Sequence, residues 1–228
     1  MKRLYTYALI MTSKTANLQP LQIKDCALLE IATGVSAQNI QELTESLSLI
    51  HPDSITYHFF GTKLRACFES PEYQNDFATW AYNNLHDNRL AERLSLINPR
   101  RYSSTEDLRN KLIEIVDLSI DENKSSSRSK ESEKFQFIRS ETVLFDMNIT
   151  VSKPEELVDV IGELPLGSIY YHFIDYTNNI GSWLTQFGDD YKDLSQAIMN
   201  IDPYFYTLDE LRTKASQVFC DYFKGASN

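Results

Sequence analysis

The sequence predicts a mainly helical fold made of two similar helical units in tandem, and three observations lead there. The hexapeptide Ser54-Ile55-Thr56-Tyr57-His58-Phe59 returns as Ser168-Ile169-Tyr170-Tyr171-His172-Phe173, and internal self-similarity is the first signature of a repeated architecture. Apolar residues at helical spacing follow both copies in the same order. Between them, residues 119–135 are rich in Ser, Lys and Glu and cannot bury enough surface to offset their ordering entropy. The expected division is an N-terminal extension (1–25), a first helical repeat (26–118), a flexible linker (119–135) and a second repeat (136–228). A pseudo-two-fold axis relating the repeats would bury the stripes of both. The alternative is an α+β fold with one short strand per repeat.

In the first repeat, Cys26 to Gly34 is an apolar run that Gly34 stops. Ser36 then offers an N-cap for an amphipathic helix carrying Ile40, Leu43, Leu47 and Ile50, closed by Pro52. After the hexapeptide comes a loop, residues 69–74. Asn75 or Asp76 caps a helix with Phe77, Trp80, Ala81 and Leu85 on one face. His86-Asp87-Asn88 is a polar break. The next helix presents Leu90, Leu94 and Ile97 and ends at Asn98-Pro99. Ser103-x-x-Glu106 reads as a capping box opening a helix with Leu108, Leu112, Ile115 and Val116 inward.

The second repeat follows suit. Thr142 to Val151 alternates at Phe145, Met147, Ile149 and Val151 as a strand does. Ser152-x-x-Glu155 is a second capping box, before a helix with Leu157, Val158, Val160 and Ile161. Asn178 or Asn179 caps a helix with Ile180, Trp183, Leu184 and Phe187. Leu194, Ile198 and Ile201 repeat the spacing of Leu90, Leu94 and Ile97, and Asp202-Pro203 repeats Asn98-Pro99. Thr207-x-x-Glu210 opens the last helix, with Leu211, Ala215, Val218 and Phe219 inward.

Composition narrows the partners. The net charge of −10 disfavours a nucleic acid or an anionic membrane, both of which reward clustered Lys and Arg. Three dispersed cysteines, Cys26, Cys67 and Cys220, argue for a reducing compartment, against a disulfide framework and against a cysteine metal site. Residues 1–11 imitate a signal peptide only faintly, because the apolar run is short and no A-x-A site follows. A cytoplasmic protein is expected, with an unidentified protein partner, no cofactor and no metal; homodimerisation is left open.

The same residues resemble an uncharacterised bacterial and archaeal family known only as a domain of unknown function. The resemblance rests on Ala32-Thr33-Gly34, Ser54 to His58, Glu72-Tyr73, Asn75-Asp76-Phe77-Ala78, Trp80, Leu90 to Leu94, Ile97-Asn98-Pro99 and Leu108-Arg109. In the second half it rests on Ser168 to His172, Asn178, Trp183, Ile201-Asp202-Pro203 and Leu211-Arg212. Thr56, Asn98 and Asn179-Ile180-Gly181 depart from the family pattern. The resemblance implies an architecture and no reaction.

No nucleotide loop, dinucleotide fingerprint, nucleophile elbow or HExxH motif is present, so nothing nominates an enzyme. The expected role is a non-enzymatic interaction or regulatory module; the alternative is an enzyme or a binder of a small polar ligand such as a sugar, with His58 as acid or base, Asp76 orienting it, and Tyr57 beside it. Two histidines and Asp76 could meet at a metal only across the pseudo-two-fold, and no ligand spacing supports that. A structural role, with each His joining its helix to the neighbouring cap, is the competing expectation. Candidate binding residues are Tyr204, Phe205 and Tyr206, an aromatic cluster between helices, with His172 and Trp80. Arg109 and Arg212 are expected in surface or inter-repeat salt bridges.

Overall fold

Two antiparallel strands of 17 residues each, β1 (Leu21–Ala37) and β2 (Phe135–Val151), form the spine of the molecule in this computed structural model. The structure describes residues 18–65, 72–122, 129–175 and 179–225. Leu21 pairs with Val151 and Ala37 with Phe135, so the ribbon runs the length of both strands. The pairing is interrupted twice, between Ile23 and Lys24 and between Ala32 and Ser36. Gly34 (φ 77°) and Asn148 (φ 55°) lie in these bulges in the left-handed region. Glycine enters it without a Cβ penalty, and Asn is among the few other residues that tolerate it.

Helices make up most of the remainder. β1 leads into α1 (Ile40–Leu49), α2 (Pro52–Phe60), α3 (Asp76–Asn83), α4 (Asn88–Ser95) and α5 (Thr105–Glu122). β2 leads into α6 (Leu157–Val160), α7 (Leu166–Tyr170), which continues as a π-helical turn through Asp175, and α8 (Asn179–Leu184). Last come α9 (Lys192–Met199) and α10 (Leu208–Gly225). No helix among the described residues is long and apolar enough to cross a membrane.

The ribbon is gripped crosswise. β1 precedes the first set of helices, yet it packs on α7 and the π-helical turn that follows α7 in the second set. β2 precedes the second set, yet its start packs on α2 and α3. Leu21 and Ile23 are buried at one end, Phe135 and Phe137 at the other. Phe135 stacks on Phe77 at 5.0 Å between ring centroids and meets Trp80 and Phe137 edge-on. Gly167 lets α7 lie against β1: a Cβ there would sit 2.2 Å from the Cys26 carbonyl oxygen, closer than any side chain tolerates.

Several expectations shift. The extended segments are long strands rather than short ones, and β1 begins within the stretch read as an extension. Asn39, not Ser36, caps α1 by accepting from the Glu42 amide, because Ser36 is still in the strand. Ser104 with Asp107, one residue on from Ser103 with Glu106, caps α5. That helix continues through Ser119 to Glu122, with Ser119 buried, and Ser129 returns to bond the main chain of Gln38. The Thr207–Glu210 box and the Asn75 cap form as expected. Residues 1–17, Cys67 with the start of its loop, residues 123–128 and Asn178 lie outside the described residues.

Candidate functional site

His58 lies on α2 under the start of β2 and is 2% exposed. Its Nε2 accepts the Ile138 main-chain N–H at 3.1 Å, which leaves the proton on Nδ1 to be donated to Asp76 at 2.7 Å. Asp76 opens α3, where a carboxylate also meets the positive end of the helix. The aromatic rings of Tyr57, Phe77, Phe135 and Phe137 surround the imidazole. Ser54, one turn earlier, donates to the Ile138 carbonyl at 2.7 Å, so one β2 residue is held at both its main-chain groups.

His172 makes the matching contact at the other end, where its Nε2 accepts the Lys24 N–H at 3.2 Å. It is fully buried, and burial, with the Lys24 charge nearby, lowers its pKa to about 4. Its Nδ1 has no hydrogen-bond partner among the described residues, and neither does the Ser168 hydroxyl. The two tryptophans follow the same logic. Trp80 Nε1 donates to the Glu133 carbonyl and Trp183 Nε1 to the Gln19 carbonyl, each fastening the approach to a strand.

Tyr57 leaves this core and enters a second cluster. Its hydroxyl donates to Glu30 Oε1 at 2.5 Å and accepts from Arg65 Nη2. Arg65 also donates through Nε to Glu30 Oε1 at 2.9 Å and through Nη2 to Oε2 at 3.3 Å. The Arg65 bonds, and then the tyrosine, hold the Glu30 pKa below the usual carboxylate value. Burial and the Glu30 bond push that of Tyr57 up. Beside the cluster lies a cavity of about 260 Å³ lined by Cys26, Ala27, Leu28, Glu30, Gly61, Leu64 and Arg65.

The aromatic trio divides. Tyr204 is buried at 1% exposure, where its hydroxyl accepts from Asn75 Nδ2 and its ring meets Phe59 and Phe60; it joins the two sets of helices instead of facing solvent. Phe205 is 58% exposed and Tyr206 half-buried. Lys63 donates to the Tyr204 and Tyr206 carbonyls at 3.0 and 2.9 Å, and burial lowers its pKa to about 8. Asn98 Nδ2 donates to Asp202 at 2.5 Å where the two turns meet.

The structure therefore brings His58, Asp76 and Tyr57 together, and places His172 and the Tyr204 cluster elsewhere. Trp80 is core, packed against Phe135 close to His58. Arg109 and Arg212 form salt bridges within their own helices, with Glu106 and Asp209, and do not bridge the halves. Arg109 is buried and donates to the Leu47 and Ile50 carbonyls at the end of α1, and Arg212 donates to the Leu164 carbonyl. Glu30 and Arg65 escaped the sequence reading. They are 35 residues apart, and no local pattern announces the pair.

A family model described as a family of unknown function, DUF5752, matches residues 18–220. The chain belongs to this family. No curated protein matches it at a significant level. Among solved structures, OrfY from Thermoproteus tenax is similar with a TM-score of 0.74 at 23% identity, covering 88% of this chain and 94% of that one. At that identity the likeness establishes a common fold for this DUF5752 chain and OrfY. Among the described residues of the DUF5752 fold, no three His, Cys, Asp or Glu side chains are grouped to hold a metal ion.

Proposed function

We propose that the protein is a non-enzymatic interaction or regulatory module working in the cytoplasm, and that a protein partner docks on the outer face of the ribbon. The observation that carries this is the exposure of Leu29, Val143 and Phe145, at 55%, 43% and 49%. The register sets Ala27 opposite Val143, Asp25 opposite Phe145 and Leu29 opposite Glu141, so these side chains share one face. Apolar groups gathered on the solvent side of a sheet mark interaction surfaces. Among the described residues no third strand joins the ribbon, and His58 with Ser54 at Ile138 and His172 at Lys24 occupy main-chain groups that a third strand would need, which favours docking through the face.

The same reading takes the chain as a tandem duplication, residues 26–118 and 136–228, related by a pseudo-two-fold axis through the ribbon. The matched strand contacts of His58 and His172, the matched tryptophan bonds, the bulges at Gly34 and Asn148 and the meeting of Asn98 with Asp202 support it. An acid–base role for His58 fits the geometry poorly. The ring is sealed, Nε2 is spent on a main-chain amide, and proton uptake there would release the strand.

A photo-crosslinking residue placed at Val143 in the native host tests the reading. One discrete adduct with another protein is expected, abolished by Phe145→Asp and not obtained from Leu49, which is more exposed (87%) and lies on α1. Adducts that are identical from Leu49, confined to a second copy of this chain, or absent would overturn it.

A further inference from the structure

We propose that the cavity between β1 and the turn after α2 binds a small zwitterion of the α-amino-acid type, with its carboxylate on Arg65 and its ammonium on Glu30. Cys26, Leu28 and Glu30 alternate along β1 with Ala27 and Leu29, so the charged end of this site lies on the opposite face from Val143 and Phe145. The cavity, about 260 Å³, has room for on the order of ten non-hydrogen atoms. Leu28, Gly61 and Leu64 give it its apolar lining beside a larger polar share, and its charged groups among the described residues are one carboxylate and one guanidinium.

The pair is held rather than loosely placed. Tyr57, itself 2% exposed, donates to Glu30 Oε1 and accepts from Arg65 Nη2, so a buried hydroxyl fixes both partners. The residue at the start of the turn serves this arrangement. A Cβ at Gly61 would lie 2.3 Å from the Tyr57 ring and displace it. Arg65 directs Nε and Nη2 at Glu30 and Tyr57, and among the described residues Nη1 has no acceptor. Glu30 Oε2 receives a single bond, from Arg65, and keeps acceptor capacity. Both side chains are partly open, 44% for Arg65 and 41% for Glu30.

The ligand class follows from this charge pattern. A simple anion would meet Arg65 and be repelled by Glu30, and a simple cation the reverse. Either gains from one member of the pair and meets like charge on the other. A molecule with both charges a bond or two apart satisfies Nη1 and Oε2 together without breaking the existing pair. Its side chain would lie against Leu28 and Leu64, which suits an aliphatic amino acid.

Isothermal titration of the full chain with aliphatic amino acids, propionate, propylamine and glucose tests the proposal, each up to about 10 mM, which reaches the weak affinities expected of so small a ligand. Saturable binding of at least one aliphatic amino acid is expected, tenfold or more tighter than propionate or propylamine. Arg65→Gln and Glu30→Gln should each weaken it at least tenfold, and Leu64→Trp, which fills the cavity and leaves the ion pair alone, should abolish it. Absence of amino-acid binding, equal binding by a single-charge analogue, preference for glucose, or binding unaffected by a folded Leu64→Trp protein would overturn the assignment. The wild-type comparison decides the matter by itself if the variants do not fold.

Discussion

A histidine that accepts a main-chain N–H must keep that nitrogen unprotonated, and His58 and His172 are both held this way, on Ile138 and Lys24. The two differ at Nδ1: His58 has Asp76, and His172 has no partner among the described residues. For His172 the consequence is a pH dependence of stability. Its folded pKa of about 4 lies below the ordinary 6.5, so the unfolded chain binds the proton more readily. The stabilisation is complete above pH 6.5 and is lost as pH falls towards 4, amounting to on the order of 3 kcal/mol. His172→Gln should therefore be less stable than wild type near neutrality, and the gap should narrow steadily between pH 6.5 and 4 in urea unfolding. A gap that stays constant across that range would remove the titration from the account.

At the scale of elements, the helices are joined by bonds to carbonyls that a helix end leaves unsatisfied. Arg109 serves the end of α1 from α5, and Arg212 serves the Leu164 carbonyl from α10. Arg109 is buried, pairs with Glu106 and reaches two carbonyls. The Arg212 side chain is 28% exposed and reaches one. Arg109→Ala is expected to cost about 3 kcal/mol, since it strands buried acceptors, and Arg212→Ala about 1 kcal/mol, as measured by chemical denaturation. Comparable losses would mean that the carbonyl contacts are not what matters. Much of this level was legible in the sequence. The stripes through Leu43 and Leu47, Phe77 and Trp80, Leu90 and Leu94, and Leu211 and Ala215 all face inward, because helical periodicity is a local signal. The strands were less legible. Bulges at Gly34 and Asn148 break the alternation, and in the middle of the ribbon neighbouring residues such as Val143, Leu144 and Phe145 are all exposed. The Glu30–Arg65–Tyr57 cluster was not legible, because only the pairing of β1 with β2 and the packing of α2 under the ribbon bring those residues together.

For the whole molecule, the crosswise grip makes the two sets of helices mutually dependent. Phe135 and Phe137 fill the space among His58, Phe77 and Trp80, and Leu21 and Ile23 are buried at the far end, where His172 and Trp183 hold the main chain. Withdrawing a buried Phe costs about 3–5 kcal/mol, and a domain has only about 5–15 kcal/mol of stability in all. Neither half can spare the strand that the other supplies. Tyr204 reaching Asn75, Lys63 reaching the Tyr204 and Tyr206 carbonyls, and Asn98 meeting Asp202 reinforce the union on a second surface. The ribbon is thereby held at both ends, while Leu29, Val143 and Phe145 in its middle stay exposed.

The most direct measurement is to divide the chain between Ser125 and Ser126 and record the NMR spectra of the two fragments apart and mixed. Neither fragment should show native dispersion alone, and an equimolar mixture should restore it as a one-to-one complex. A monomeric fragment with native-like dispersion on its own would contradict the crosswise grip.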